Sequence, residues 1–315
     1  MNDIEHIYVL QMHKKGEFKL PNEMSVENQL FAITTIINTE WSRNENCLQG
    51  QATGFFYNET TPLAANNING HWERLDKFWL VTNRHVVLNH NDGSELLVDK
   101  FTFNLRRVIN GHIEWLPITL LKDEFKNNLL LHLDSKIDVV VIDVSDYIIR
   151  AVDPRGESHT DIMIPATLTQ DNLPNKQPIT IEVTSDVVVA SYPRGFYDTF
   201  NKFPIIKSGI IASGWNLNFN GDPVFQIDAQ LFPGSSGGMV ISKPSNISLH
   251  DGKVLYHKGS KQFVLLGVYS GEYTWPDYID TGFSKIEQQH SYGLGNVWYS
   301  YLIPEIINAG VKYKE

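Results

Sequence analysis

The hydrophobic residues of this chain occur in short runs rather than in long stretches. From Leu30 onward, runs rich in β-branched and aromatic residues alternate with clusters of Asn, Gly and Asp, which are typical of turns. In the N-terminal half the runs are residues 31–38, 54–57, 77–82, 96–106, 113–120 and 137–144. In the C-terminal half they are residues 179–192, 205–213, 224–228, 239–242 and 262–270. This pattern predicts many short antiparallel strands.

The segments between these runs indicate how the strands are grouped. Residues 58–76 are too long for a tight turn and predict a surface loop. Residues 150–177 are polar, contain several prolines and predict a linker between two halves. Residues 299–308 carry Leu and Ile at helical spacing and predict a terminal helix.

We therefore predict an all-β protein with two six-stranded antiparallel β-barrels and a C-terminal helix. The predicted parts are an N-terminal extension (1–29), a first barrel (30–150), an inter-barrel linker (151–177), a second barrel (178–298) and the helix (299–315).

Composition narrows the function classes. The chain has 315 residues, of which 42% are hydrophobic and 20% charged, as in globular proteins. Its net charge of -10 argues against a nucleic-acid partner, which requires a basic surface. Cys47 is the single cysteine, so no internal disulfide forms. The first ten residues do not read as a signal peptide, and no apolar stretch is long enough for a membrane span. We expect a cytoplasmic protein without a membrane partner.

The strongest chemical signal is the segment 232–238, FPGSSGG. Acyl transfer needs a nucleophile on a tight turn whose backbone N–H groups stabilise an oxyanion. Ser236 is the candidate nucleophile, and the N–H groups of Gly234 and Ser236 are the candidate oxyanion hole. The same letters fit G-x-S-x-G, the nucleophile elbow of α/β hydrolases. That alternative requires a helix after the turn, whereas residues 239–244, MVISKP, predict a strand and a turn.

Two further segments supply candidate partners for this serine. Residues 78–87 form an apolar strand followed by a polar turn that presents His85, a candidate general base. Asp138 opens the β-branched run at 139–142 and is the candidate acceptor for the His85 ring. Nearby alternatives are Asp134, Asp143 and Asp146.

Together, the segments TNRHVV (82–87), DVVV (138–141) and DAQLFPGSSGG (228–238) resemble the trypsin-like peptidase family, particularly its bacterial Deg/HtrA-type branch. The order His, Asp, Ser along the chain is the order found in chymotrypsin-like enzymes. Supporting matches are YPRG (192–195), SGII (208–211), LGVYSG (266–271) and GLGNV (293–297). The resemblance covers roughly residues 30 to 308, and no PDZ-like domain is expected after the terminal helix.

This resemblance implies a chymotrypsin-like fold and a mode of substrate recognition. The strand that contains Tyr269, Ser270 and Gly271 should pair with an extended substrate backbone. Gln230 should lie near the floor of the primary specificity pocket. Because no aspartate occupies that floor, a trypsin-like preference for basic residues is not expected.

The sequence therefore predicts a serine endopeptidase with His85, Asp138 and Ser236 as its catalytic triad, acting on protein or peptide substrates. No metal or organic cofactor is expected, because no H-E-x-x-H, Walker or Cys/His ligand motif occurs. Alternatives are a non-catalytic peptide-binding module, a latent peptidase switched on by a partner protein, and an esterase.

Overall fold

The computed structural model describes residues 26–43, 46–62, 73–91, 94–152, 161–259, 261–280 and 285–314. Residues 1–25 of the predicted N-terminal extension, the middle of the predicted surface loop and part of the predicted linker lie outside these residues. None of the helices in the described part of the chain combines the length and the apolar character that crossing a bilayer requires.

The described residues of the N-terminal half form ten strands and four α-helices. Its strands are β1 (Thr34–Arg43), β2 (Asn46–Pro62), β3 (Glu73–Thr82), β4 (Leu88–Asn91), β5 (Ser94–Leu97), β6 (Lys100–Ile109), β7 (His112–Leu121), β8 (Leu129–Leu131), β9 (Val140–Asp143) and β10 (Ile162–Met163). Its helices are α1 (Val26–Ile33), α2 (Arg84–Val87), α3 (Lys122–Asn128) and α4 (Ser145–Val152).

The C-terminal half contains the remaining elements. Its strands are β11 (Asp186–Ser191), β12 (Ile205–Ile211), β13 (Val224–Asp228), β14 (Met239–Ser242), β15 (Ile247–His250), β16 (Lys253–Tyr256), β17 (Leu265–Asp280), β18 (Lys285–Tyr299) and β19 (Val311–Lys312). Among the described residues, its α-helix is α5 (Leu302–Ala309), and short 3-10 helices lie at Gln170–Asn172 and Pro193–Gly195. Strands β11, β12, β13, β18, β17 and β14 close into a six-stranded antiparallel barrel.

The sheet of the N-terminal half does not close into a ring within the described residues. Its strands follow the order β10, β6, β1, β2, β3, β9, β8, β19, and β7 pairs with β6. Helix α3 contacts β6, β7 and β19, and Phe125 stacks on Phe101 with ring centroids 4.6 Å apart. A helix therefore covers the core where closure would require strand pairing. The prediction of two closed barrels is confirmed for the C-terminal one only, and the C-terminal helix is confirmed.

Both halves contribute to a shared core. In β3, Phe78 and Leu80 face the core of the N-terminal sheet, while Trp79 and Val81 face the barrel and α5. Strand β11 alternates in the same way, with Val187 and Val189 inside the barrel and Val188 and Ala190 outside it. Because successive side chains point to opposite faces, an unbroken apolar run lets one strand serve two cores. The halves are thereby packed against each other.

Several elements differ from the sequence prediction at their ends. The loop expected over residues 58–76 is shorter, because β2 continues to Pro62 and β3 begins at Glu73. The strand expected over residues 179–192 begins only at Asp186. The terminal helix ends at Ala309, and the chain then returns as β19 to pair with β8 of the N-terminal half. The predicted domain boundaries stay predictions.

Candidate active site

His85 lies on a single helical turn at the end of a central strand. Strand β3 ends at Thr82, and the four residues of α2 begin two positions later. Val86 and Val87 are buried in the core of the N-terminal half. The turn therefore presents His85 to the surface, where 44% of its side chain is exposed.

Asp138 contacts His85 through both carboxylate oxygens. The His85 ring Nδ1 lies 2.7 Å from Oδ2, and the His85 backbone N–H donates to Oδ1 at 2.9 Å. Because an ionised carboxylate only accepts hydrogen bonds, Nδ1 carries the ring proton and Nε2 of the neutral ring is left as the acceptor. Asn83 Nδ2 donates to the Asp138 backbone carbonyl at 2.7 Å, which ties the loop before β9 to the histidine turn.

The neighbouring aspartates have other partners. Asp143 forms an ion pair with Lys77 at 3.2 Å and accepts a hydrogen bond from the Ser145 hydroxyl. Asp134 accepts the backbone N–H of Lys136 at 2.9 Å. Of the aspartates considered from the sequence, Asp138 is the one that the structure brings to His85.

The segment around Ser236 is a tight turn held by its own backbone. The Ser235 N–H donates to the Phe232 carbonyl at 3.0 Å, and the Gly238 N–H donates to the Ser235 carbonyl at 2.9 Å. Gly237 has a φ of 81°, in the left-handed region that favours glycine. The turn leads directly into β14, as expected for a barrel and not for the strand–turn–helix of a hydrolase elbow.

The backbone amide of Gly234 has a fixed orientation. The Arg194 N–H donates to the Pro233 carbonyl at 2.6 Å. In a trans peptide the carbonyl and the following N–H point in opposite directions, so the Gly234 N–H points away from Arg194. Gly234 itself has a φ of 91°, and a Cβ there would lie 2.8 Å from both Arg194 N and the Tyr192 carbonyl oxygen. Only glycine fits this position without strain.

The orientation of the Ser236 backbone amide is also fixed by a hydrogen bond to the carbonyl of its peptide unit. Its peptide unit contains the Ser235 carbonyl, which accepts the Gly238 N–H, so the Ser236 N–H points away from Gly238. The Ser235 hydroxyl is fully buried and bonded to Ser191 Oγ at 3.0 Å, which leaves Ser236 as the partly exposed serine of the pair. An oxyanion hole formed by Gly234 and Ser236 stays a prediction.

Thr53 of β2 joins the N-terminal sheet to this turn. Its backbone N–H donates to the Ser236 carbonyl at 2.9 Å, and its Oγ1 donates to the Gly234 carbonyl at 2.8 Å. The same Oγ1 accepts the Tyr192 N–H at 2.9 Å. Thr82 Oγ1 in turn donates to the Thr53 carbonyl at 2.8 Å. These bonds bring the serine turn to the strand end that precedes His85.

Gly237 shows how closely the two halves approach. A Cβ on this residue would lie 2.1 Å from the Thr53 carbonyl oxygen and 2.3 Å from Thr82 Oγ1. Thr82 lies three residues before His85, so the histidine and serine segments share the same two threonine neighbours.

The hydroxyl of Ser236 donates to the carbonyl oxygen of Ser270 at 3.0 Å. Among the described residues, no hydrogen bond links Ser236 Oγ to the His85 ring. The structure therefore brings His85 and Asp138 into direct contact and Ser236 into their neighbourhood, with the hydroxyl directed at β17.

The predicted substrate-binding residues differ in accessibility. Gln230 is exposed, and Ser270 and Gly271 are partly exposed. The Tyr269 side chain is only 2% exposed and packs inside the barrel, and burial raises the pKa of its hydroxyl well above the usual range. Both backbone groups of Tyr269 are occupied, by the Gly237 N–H and the Gly238 carbonyl. Substrate contact by these residues stays a prediction.

Arg106 of β6 anchors the loop that follows Tyr192. The guanidinium donates to the Tyr192 hydroxyl at 2.8 Å, to the Lys202 carbonyl at 2.8 Å and to the Thr34 carbonyl at 3.1 Å. It also lies 4.8 Å from the ring centroid of Trp115. Burial lowers the pKa of Arg106 and raises that of Tyr192. The loop that positions the Pro233 carbonyl is thus fastened to the N-terminal sheet.

The sequence prediction missed Thr53, Thr82 and Arg106 as parts of this site. Each of them contacts residues far away along the chain, up to 181 positions in the case of Thr53 and Gly234. Thr82 is a polar residue at the end of the apolar strand β3 and begins the segment TNRHVV, whereas the sequence of β6 does not distinguish Arg106 from its neighbour Arg107.

Comparison with protein families gives an independent result. The family of the trypsin-like peptidase domain matches residues 52–246, a range that includes His85, Asp138 and Ser236. A search of curated proteins found no match.

Several solved structures are similar over most of their length. The active form of the Rv3671c protease from M. tuberculosis is 17% identical, with a TM-score of 0.43, over 92% of this chain and 85% of that one. The thermostable serine protease AL20 from an extremophilic microorganism is 12% identical, with a TM-score of 0.39, over 89% and 98%. The apo MamO protease domain from Magnetospirillum magneticum is 10% identical, with a TM-score of 0.38, over 89% and 98%.

Proposed function

Because the chain belongs to the trypsin-like peptidase family, we propose that it is a serine endopeptidase in which Ser236 is the nucleophile, His85 the general base and Asp138 the orienting carboxylate. The observation that carries this proposal is the double hydrogen bond from His85 to Asp138. That contact fixes the ring orientation and the tautomer in which Nε2 accepts a proton.

In the proposed reaction, His85 Nε2 takes the Ser236 hydroxyl proton while Oγ attacks the carbonyl carbon of a peptide bond. The negative charge that develops on the carbonyl oxygen is stabilised by the N–H groups of Gly234 and Ser236. Asp138 stabilises the imidazolium without taking its proton. The imidazolium then protonates the leaving amine, and an acyl-enzyme remains on Ser236.

The second half of the reaction uses the same groups. Water takes the place of the leaving amine, and His85 removes one of its protons as the oxygen attacks the acyl carbonyl. Collapse of the second tetrahedral intermediate breaks the ester bond, and His85 returns the proton to Ser236. The carboxylic acid product leaves, and the enzyme is regenerated without a metal or an organic cofactor.

The substrate class follows from the family, which implies proteins or peptides. Ser270 and Gly271 begin the exposed part of β17 beside the Ser236 hydroxyl, and this position supports pairing with an extended substrate backbone. Gln230 is exposed two residues after β13, consistent with contact to the substrate residue before the scissile bond. The cytoplasmic location and an activating partner stay predictions.

The deciding experiment is active-site labelling with a fluorophosphonate probe. Wild-type protein should be labelled and should cleave casein, and Ser236→Ala should lose both properties. Ser208→Ala, a change at an exposed serine of β12, is the matched control and should keep both. Labelling that persists in Ser236→Ala would exclude Ser236 as the nucleophile. Cleavage of small esters with intact casein would instead indicate an esterase, and casein binding without labelling would indicate a non-catalytic or latent module.

A further inference from the structure

Strands β17 and β18 form a hairpin that extends beyond the barrel. The pairing of β17 with β18 runs from Gly267 to Asp280, with register shifts between Tyr269 and Gly271 and between Glu272 and Thr274. On its other edge, β17 pairs with β14 only through Leu265, Gly267 and Val268. From Ser270 onward, no strand in the described part of the chain pairs with that edge. An unpaired strand edge presents N–H and C=O groups that bind another extended chain.

This edge begins at the candidate nucleophile. Beyond the β14 pairing, the backbone of Tyr269 bonds to Gly237 and Gly238, and the carbonyl of the next residue, Ser270, accepts the Ser236 hydroxyl. At about 3.3 Å per residue, the edge from Ser270 to Trp275 is roughly 16 Å long. It is therefore long enough for about six residues of an added strand.

Pro276 marks the end of the edge. Proline has no N–H to donate, and within sheets it is found where its nitrogen faces away from a pairing strand. Because Pro276 pairs with Gln289 of β18, its nitrogen faces the unpaired edge. At Pro276, a chain added to this edge therefore finds no backbone N–H of β17 to which its carbonyl oxygen could bond.

Aromatic side chains surround the far end of the edge. The ring of Trp275 lies 4.4 Å from that of Tyr292 and 5.5 Å from that of His290, measured between centroids. We call these three residues the aromatic cluster. Trp275 is 37% exposed and Tyr292 is 59% exposed. Closer to the site, Tyr273 packs against Phe219. Exposed grouped aromatic side chains are typical of binding surfaces.

We propose that the aromatic cluster binds side chains of the peptide substrate four to six residues before the scissile bond. This inference rests on the proposed function. A substrate added antiparallel to β17, as all strands of this barrel are paired, runs from Trp275 towards Ser270 in its own N-to-C direction. The segment beside the aromatic cluster therefore precedes the bond at Ser236. The preferred substrate is an extended polypeptide with apolar side chains in that segment.

A binding experiment tests this without requiring turnover. The protein used is the Ser236→Ala variant, and the probe is a fluorescein-labelled peptide of about twelve residues with Leu and Phe at alternate positions, matching the two-residue period of a strand. A second peptide carries Ser at those positions. The apolar peptide should bind more tightly, and adding Trp275→Ser and Tyr292→Ser should weaken its binding by about tenfold, as expected when aromatic contacts are removed.

The matched control is Tyr256→Ser, a change at an exposed aromatic residue on the separate hairpin of β15 and β16. It should leave binding unchanged. Equal binding by all variants, or no preference for the apolar peptide, overturns the proposal. If the double variant does not fold, Tyr292→Ser alone decides, because that ring is the more exposed of the two. If the wild type does not cleave casein but the Ser236→Ala variant binds the apolar peptide as expected, that result counts against the proposed function and not against this proposal.

Discussion

Thr53 Oγ1 donates a hydrogen bond to the Gly234 carbonyl at 2.8 Å, across the junction of the two halves. The same oxygen accepts the Tyr192 N–H. One hydroxyl on a strand of the N-terminal sheet thus contacts both the candidate oxyanion turn and the loop that orients it.

Replacing this hydroxyl tests whether the contact positions the turn. Thr53→Val keeps the shape of the side chain and leaves the buried Tyr192 N–H unpaired, which should lower the free energy of unfolding by about 1–3 kcal/mol. The turnover number should fall, because the Gly234 carbonyl loses its partner. Thr53→Ser restores the hydroxyl and should recover most of both losses. Chemical denaturation and peptide hydrolysis measure the two effects, and a normal turnover number in Thr53→Val would rule out a positioning role.

Asp138→Asn should preserve the fold and greatly slow the reaction. An amide at this position favours the wrong tautomer of His85, and the equivalent change in serine proteases lowers kcat by about 10⁴-fold. The Michaelis constant should change little, because Asp138 does not bind substrate. Asp134→Asn alters a nearby aspartate that has another partner, and it should leave kcat at the wild-type value. Comparable losses in both variants would mean that Asp138 has no special role.

Alanine substitutions at two glycines with the same φ distinguish the cost of backbone strain from the cost of a steric clash. Gly234 and Gly221 both have a φ of 91°, but a Cβ on Gly221 meets no atom within 4 Å. Gly221→Ala should therefore cost only the left-handed strain, about 1–2 kcal/mol. Gly234→Ala must also displace Arg194 or Tyr192, which disturbs one candidate oxyanion donor and should lower kcat by about 10²–10³-fold. Steady-state kinetics on both variants checks this, and equal kcat values would contradict it.

Arg106→Met should destabilise the protein far more than Arg107→Met. Arg106 is only 4% exposed, and its removal leaves the Tyr192 hydroxyl and the Lys202 carbonyl without their donor. At about 1–3 kcal/mol for each unpaired buried group, the loss should be at least about 2 kcal/mol. Arg107 forms an exposed pair with Glu114, which contributes about 0–1 kcal/mol. Urea unfolding curves compare the two variants, and similar midpoints would be the contrary result.

Asp198 should make the loop after Tyr192 sensitive to acid. Hydrogen bonds from the Asn201 side chain and backbone hold the pKa of this carboxyl below its usual range. A depressed folded-state pKa stabilises the protein above the unfolded pKa, near 3.8, and this stabilisation is lost as pH falls through the lower folded value. The difference in unfolding midpoint between wild type and Asp198→Asn should be present at neutral pH and vanish in acid. A difference in unfolding midpoint that does not change with pH would refute the contribution of Asp198 ionisation to stability.

The sequence was sufficient for the parts of the fold that depend on local pattern. Alternating or continuous apolar runs predicted the strand before His85 and the strands on either side of Ser236, because burial of one or both faces sets the pattern. The prediction that both sheets close is confirmed for the C-terminal sheet only, because closure depends on pairing between distant strands and on where α3 packs. The prediction also ended β17 at Ser270, since Gly271 and Pro276 are normally signals for a turn.

The candidate site also contains residues that the sequence predicted and residues that it did not. His85, Asp138 and Ser236 each lie in a recognisable local motif, so the sequence identified them as candidates. Thr53 has no local signature, because its role comes from bonds to residues more than a hundred positions away. Tyr269 was expected in the strand that pairs with the substrate backbone, and the alternation of β17 directs its side chain into the barrel.

The hydrogen bond from Ser236 Oγ to the Ser270 carbonyl restrains only the rotation of the Ser236 side chain. Rotation about one bond, a motion of picoseconds to nanoseconds, releases that hydroxyl without moving any strand or loop. A backbone amide arriving at Ser270 competes for the same oxygen. Binding of a chain at the strand edge and release of the Ser236 hydroxyl are thereby coupled through the Ser270 carbonyl oxygen.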